Sequence, residues 1–152
     1  MEIYIRHLYK TCLQESAYIK LIKKYASKLE YDILIVFDLR IKDYGNYIFD
    51  SKKKLHSIKI SPNKCGFTDE GVKLDDGAEK YHLISTTIHE IYHALQYEEL
   101  GREFWNKKYG CATEITHPDT ADFFSKCEID ARAYENKNLL QAVEYYSRCV
   151  EE

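Results

Sequence analysis

Residues 76–101 read DGAEKYHLISTTIHEIYHALQYEELG, and this segment has the composition of one long helix. Its interior, 78–100, contains neither proline nor glycine, and Gly101 follows where a glycine commonly ends a helix. Asp76, with Glu79 three positions later, predicts an N-cap with a capping-box-like start. Apolar residues recur at helical spacing throughout, which predicts a helix of about 23 residues that is largely buried in a core.

The centre of this helix carries two histidines, His89 and His93, on either side of Glu90. Residues four positions apart lie on one face of a helix, one turn apart, so both imidazoles can reach a single metal ion. Glu90 is turned about 100° from His89 and can take a proton from a water molecule on that ion. A single helix histidine is more often a hydrogen-bonded core residue, but two at this spacing around a glutamate favour a Zn²⁺ site.

The pentapeptide His89-Glu90-Ile91-Tyr92-His93 is the HExxH signature of zinc metallopeptidases. Catalytic zinc sites take three protein ligands and leave a fourth position for water, so the pair of histidines needs a third partner. Three downstream residues carry suitable groups, namely Glu128, Asp130 and His117. Glu128 and Asp130 lie in a segment with a helical pattern, and Glu128 follows the second histidine by 35 residues, far enough for the chain to turn back across the site.

At this point the chain resembles a compact gluzincin, as in the minigluzincins and the ImmA/IrrE-like metallopeptidases, over roughly residues 75 to 136. In these families the third ligand is a glutamate on a second helix, in a stretch that here reads Glu128-Ile129-Asp130-Ala131. The resemblance implies that Glu128 binds zinc and that Asp130 hydrogen-bonds to a ligating histidine or to Arg132. SprT-like proteins use a histidine instead, and His117 resembles that arrangement loosely, without the glycine that follows it there.

These residues predict a zinc-dependent metallopeptidase that hydrolyses peptide or protein substrates. Glu90 is the expected general base, and Tyr134 and His117 are candidates for stabilising the oxyanion. One alternative of another class stays open, a zincin-like binding or regulatory module with little or no peptidase activity. It stays open because an intracellular peptidase must be restrained by narrow specificity, by a partner or by inactivity.

The remaining segments predict an α+β, zincin-like fold with an N-terminal helix, a small mostly antiparallel sheet, the HExxH helix and C-terminal helices. The apolar patterns predict helices at 8–30, 102–109 and 119–150, the last with a break near 136–138, and strands at 31–37, 44–50 and 55–61. The third strand, 55–61, is the expected edge strand above the zinc, where an extended substrate can pair.

At 152 residues the chain is expected to form a single domain, 1–152. Its formal net charge of −3 argues against a general nucleic-acid binder. No apolar run reaches the roughly 20 residues of a membrane span, and the N-terminus lacks the pattern of a signal peptide. The five cysteines form no CxxC pair, which is typical of reduced thiols, so the expected location is the cytoplasm.

Overall fold

The computed structural model describes residues 1–101 and 118–152, and in the second range the side chains from residue 126 onward. The described elements, in chain order, are β1 (Ile3–Arg6), α1 (Glu15–Tyr25), β2 (Asp32–Phe37), β3 (Gly45–Asp50), β4 (Leu55–Ile60), α2 (Pro62–Gly66), α3 (Asp76–Leu100) and α4 (Pro118–Glu151). A short 3₁₀ helix, Leu8–Lys10, follows β1. Helices and one small sheet are combined, which confirms the α+β class.

The four strands form one mixed sheet in the order β1-β2-β4-β3. β2 pairs in parallel with both β1 and β4, and only β3 and β4 are antiparallel. The expectation of a mostly antiparallel sheet is therefore wrong. β1 and β2 are parallel because helix α1 connects them, and a crossover of that length returns the chain in the same direction. The short turn at 51–54 joins β3 and β4 as a hairpin, so these two strands are antiparallel.

The edge strand beside α3 is β3, so the expectation that 55–61 forms this edge is wrong. In β4, Ile58 is the partner of Ile35 on one side and of Tyr47 on the other. Among the described residues, no strand pairs with the second side of β3. Alternation in the sequence identifies both strands of the hairpin, but it does not say which of the two lies next to β2.

The core lies between one face of the sheet and the helices α1 and α3. Fully buried side chains from β2 and β4 point to this side, namely Ile33, Ile35, Phe37, Ile58 and Ile60. The facing residues of α3 are also fully buried, namely Leu83, Ile84, Ile88 and Ile91. A buried hydrogen bond of 2.7 Å joins the Tyr18 hydroxyl of α1 to the Thr87 hydroxyl of α3. Helix α3 is therefore packed against both the sheet and α1.

Helix α3 matches the predicted helix closely, with 25 residues from Asp76 to Leu100. Its N-cap is Asp75 rather than Asp76, since Asp75 Oδ1 accepts a hydrogen bond of 2.8 Å from the Ala78 backbone N–H. Gly101 has a φ of 75° and ends the helix, as predicted.

The N-terminal segment differs more from its prediction. α1 is shorter than the predicted 8–30, because Leu13 and Leu29 are buried from the turns that flank the helix. Apolar spacing therefore continues beyond the helix itself. β1 was not predicted, since its four residues provide only two inward positions, Ile3 and Ile5, both partly buried.

Helix α4 is continuous through the predicted break at 136–138. There, the Asn138 side-chain amide donates a hydrogen bond of 2.8 Å to the Tyr134 carbonyl one turn earlier, so its polar group is satisfied within the helix. The helix predicted at 102–109 lies outside the described residues. Within the described part of the chain, no helix combines the length and apolar character needed to cross a membrane.

Candidate metal centre

A cleft of about 830 Å³ lies between β3, α3 and α4. Its lining includes ionisable side chains from both helices, namely His89, Glu90 and His93 from α3 and Glu128, Arg132 and Glu135 from α4. The two helices pack against each other, so the histidine face of α3 meets the acidic face of α4 at the floor of the cleft.

Both histidines converge on the carboxylate of Glu128. His89 Nε2 lies 3.2 Å from Glu128 Oε2, and His93 Nε2 lies 2.9 Å from Glu128 Oε1. Two ligand atoms on a tetrahedral zinc ion, with bonds of about 2.0–2.1 Å, stand about 3.3 Å apart. The two contacts have about this length, although they involve different oxygens of Glu128.

The other nitrogen of each imidazole is hydrogen-bonded away from this point. His89 Nδ1–H donates to Glu135 Oε1 at 2.9 Å, and His93 Nδ1–H donates to Gln96 Oε1 at 2.9 Å. Partners of this kind fix the orientation and tautomer of a ligating histidine. Both Nε2 atoms therefore face Glu128 in the cleft, and each can donate a lone pair to a metal ion once its proton is lost. The Ser85 hydroxyl donates to the second oxygen of Glu135 and holds that carboxylate in place.

Glu135 is the site residue that the sequence reasoning missed. It follows Glu128 by seven positions, and seven residues complete nearly two helical turns, so both carboxylates lie on one face of α4. Tyr134 is only one position earlier, but it is turned about 100° away from Glu135. Its ring stacks on Tyr92 with centroids 4.4 Å apart. Tyr134 is not among the described residues that line the cleft, and its expected role as an oxyanion donor stays a prediction.

The other candidates for third ligand have different positions. Asp130 is turned about 200° from Glu128 around the helix and is not among the described residues that line the cleft. His117 lies outside the described residues. Of the described candidates, Glu128 is the one that contacts both histidine nitrogens.

Glu90 lies beside the two histidines in the cleft wall. One ligand atom each from His89, Glu90 and His93 fall within 4.8 Å of one another, close enough for a group that could hold a metal ion. Glu90 is only 5% exposed, and burial raises the pKa of its carboxyl group to about 7 although both histidines oppose this. A group with such a pKa can take up and release a proton near neutral pH.

The histidines and Glu128 shift one another's ionisation. Burial alone would lower the pKa of His89, but hydrogen bonds to Glu128 and Glu135 outweigh it and raise the pKa to about 9. Burial would also lower the pKa of His93. Hydrogen bonds to Cys127 and Glu128 outweigh this effect and raise that pKa. Despite its own burial, Glu128 has a lowered pKa because both imidazoles bond to it. A charged carboxylate is thus stabilised between two imidazoles, and a metal ion there must compete with protons.

β3 approaches α3 closely at Gly45. A Cβ atom at this position would lie 2.6 Å from Thr86 Cγ2 and 3.0 Å from the Lys59 carbonyl oxygen, so a side chain has no room. The neighbouring inward residue, Tyr47, lies with its ring 6.2 Å from the ring of His93. This close approach places the edge of β3 along the wall of the cleft.

Comparisons of the chain with protein-family models, with curated proteins and with solved structures found no match. The chemistry of the cleft is therefore the feature that indicates a function. That chemistry comprises two oriented imidazoles, a carboxylate between them, and a buried glutamate with a raised pKa.

Proposed function

We propose that this chain is a zinc-dependent metallopeptidase whose metal ligands are His89, His93 and Glu128. The observation that carries the proposal is the convergence of the two Nε2 atoms on one carboxylate, at 3.2 and 2.9 Å, while both Nδ1 atoms bond elsewhere. Two histidines and one glutamate form a ligand set of catalytic zinc sites, in which water takes the fourth position. The resemblance to compact gluzincins rests on the same three residues.

The arrangement around the cleft supports a zincin-like fold. The motif helix α3 packs under the sheet, β3 forms the edge beside it, and α4 returns across the site to supply Glu128. An extended peptide can add to such an edge as a further strand, with its main chain hydrogen-bonded to β3. The substrate class that fits is therefore an unfolded or extended peptide segment.

Four further residues around the proposed zinc site have tasks in the hydrolysis. Zinc in such a site activates a water molecule and polarises the substrate carbonyl. Glu90 accepts the proton of the attacking water and delivers it to the leaving amine nitrogen, a task that suits its pKa of about 7. Glu135 and Gln96 keep the imidazoles oriented. Arg132, one turn after Glu128 in the cleft lining, is the cation that we assign to the oxyanion.

The decisive test is Glu90→Gln, which keeps the shape of the side chain and removes the base. Purified wild-type protein, incubated with a library of peptides from a digested proteome, is expected to cleave a subset detectable by mass spectrometry. Glu90→Gln should retain zinc and lose cleavage by about 10²–10⁴-fold. Glu99→Gln is the matched control, because Glu99 is an exposed glutamate on the same helix.

Two outcomes would contradict the proposal. Cleavage that survives in Glu90→Gln would mean that another mechanism or another protein is responsible. Zinc binding without cleavage of any peptide, in wild type and variants alike, would favour the binding or regulatory module.

A further inference from the structure

The face of the sheet that points away from α1 and α3 carries exposed apolar side chains between charged ones. β2 reads DILIVF, with apolar residues in both inward and outward positions, a pattern typical of a strand that is covered on both faces. Yet no described element covers Tyr4 and Ile48 on the outward face, which are 50% and 45% exposed. Exposed apolar side chains grouped on one face commonly mark a contact surface.

The strand register arranges the outward side chains in three rows across the sheet. The middle row consists of Tyr4, Leu34, Ser57 and Ile48. The basic row, on one side of it, consists of Arg6, Val36, Lys59 and Asn46. The acidic row, on the other side, consists of Glu2, Asp32, Leu55 and Asp50, with the Glu2 N–H bonded to Asp32 Oδ1 at 2.7 Å. Adjacent rows lie about 7 Å apart, since each is two residues further along the strands.

We propose that this face is the interface of a symmetric homodimer, in which the sheet of a second copy stacks on it at about 10 Å. A twofold axis parallel to the rows lays the two middle rows on each other and sets each basic row against the acidic row of the other copy. Arg6 then faces Glu2 of the second copy, and Lys59 lies between its Asp32 and Asp50. These contacts bury the apolar row and pair the charges around it.

The charge pattern selects both the occupant and the orientation. A twofold interface requires a patch that is complementary to itself, and the exchange of basic and acidic rows supplies this complementarity. A twofold axis parallel to the strands would instead set basic row on basic row and acidic on acidic, which like-charge repulsion disfavours. His89, Glu90 and His93 lie on the helix side of the sheet, so the dimer leaves them accessible and does not depend on the proposed function.

The first test is analytical ultracentrifugation of the full chain over a wide concentration range. Wild type is expected to form a dimer. Ile48→Glu should raise the dimer dissociation constant by at least about tenfold, because each copy then places a carboxylate in the apolar row next to its own image. Leu140→Glu is the control, since Leu140 is 72% exposed on α4, away from this face, and its replacement should leave the dimer unchanged.

Exchanging the charges of Arg6 and Glu2 tests the orientation of the two copies in the dimer. Both side chains are exposed, so the fold does not depend on them. Arg6→Glu should weaken the dimer, and Arg6→Glu combined with Glu2→Arg should restore it, because the two positions face each other between copies. A wild type that stays monomeric, a dimer that is unaffected by both Ile48→Glu and Arg6→Glu, or a double exchange that restores nothing would each overturn the proposal. Circular dichroism of every variant shows whether it is folded.

Discussion

Replacing Gly45 by alanine should destabilise the protein and disturb the cleft wall. The added methyl carbon would lie 2.6 Å from Thr86 Cγ2, 3.0 Å from the Lys59 carbonyl oxygen and 3.3 Å from Glu90 Cγ. Carbon atoms in good contact are about 3.5–4.0 Å apart. The closest neighbour is a short β-branched side chain on a buried helix face and the next is backbone, so neither can move away without shifting α3 or the sheet.

The magnitude follows from two opposing terms. Forcing an extra methyl group into a packed site costs typically about 1–3 kcal/mol. Alanine also restricts the unfolded chain, which offsets about 0.4–1 kcal/mol. A net loss of about 1–2 kcal/mol should lower the Tm of a chain of this size by roughly 2–8 °C. Thr86→Ser deletes the contacted methyl group, so adding it should recover about half of that loss, with the Lys59 contact remaining.

The assay is thermal and denaturant unfolding of the four proteins in this double-mutant cycle. Gly77→Ala is the matched control, because the nearest atom to a Cβ there is Asp75 Oδ1 at 3.3 Å, in the first turn of α3. It should be neutral or stabilising by up to about 1 kcal/mol. If Gly45→Ala is as stable as wild type, or if Thr86→Ser shows no coupling with it, the close approach of β3 to α3 is refuted, and with it the shape of the cleft.

Three further predictions concern the metal centre. Glu135→Gln should weaken zinc binding by about 10–100-fold, because His89 loses its charged partner. Chelator competition measures this affinity, and an unchanged value would show that Glu135 does not position His89. Tyr134→Phe should leave zinc content and cleavage unchanged, since its ring packs on Tyr92. A loss of cleavage would show that the Tyr134 hydroxyl takes part in the reaction. Zinc affinity should fall as the pH drops below about 9, because the pKa of His89 is raised to about 9 and protons then compete for its nitrogen. The fall should reach up to tenfold per pH unit for each displaced proton. A zinc affinity that does not change with pH would contradict this competition.

The parts of the molecule that the sequence predicts are those governed by local rules. Helical periodicity and the terminal Gly101 located α3 to within two residues at its start, and the i,i+4 spacing placed His89 and His93 on one face. The choice of Glu128 needed more than periodicity. It rested on the order and spacing of a second motif, and the structure brings that carboxylate to both histidines.

The parts that escaped prediction depend on long-range pairing. The sequence of β1 is too short to show alternation, so the parallel pairing of β1 with β2 and the central position of β4 could not be anticipated. Glu135 offered a signal, its seven-residue spacing from Glu128, but such spacing identifies a shared helix face and not its partner. Only the packing of α4 on α3 shows that this carboxylate meets His89 Nδ1.

Zinc titration of chelator-treated protein tests the central claim most directly. Wild type is expected to bind about one zinc ion per chain through His89, His93 and Glu128. Asp130→Asn and His117→Ala should bind it with nearly the same affinity, whereas Glu128→Gln should lose far more than the roughly 10–100-fold that an outer hydrogen-bonding partner costs. Equal affinity in Glu128→Gln and wild type, or a larger loss in His117→Ala, would contradict the assignment of the third ligand.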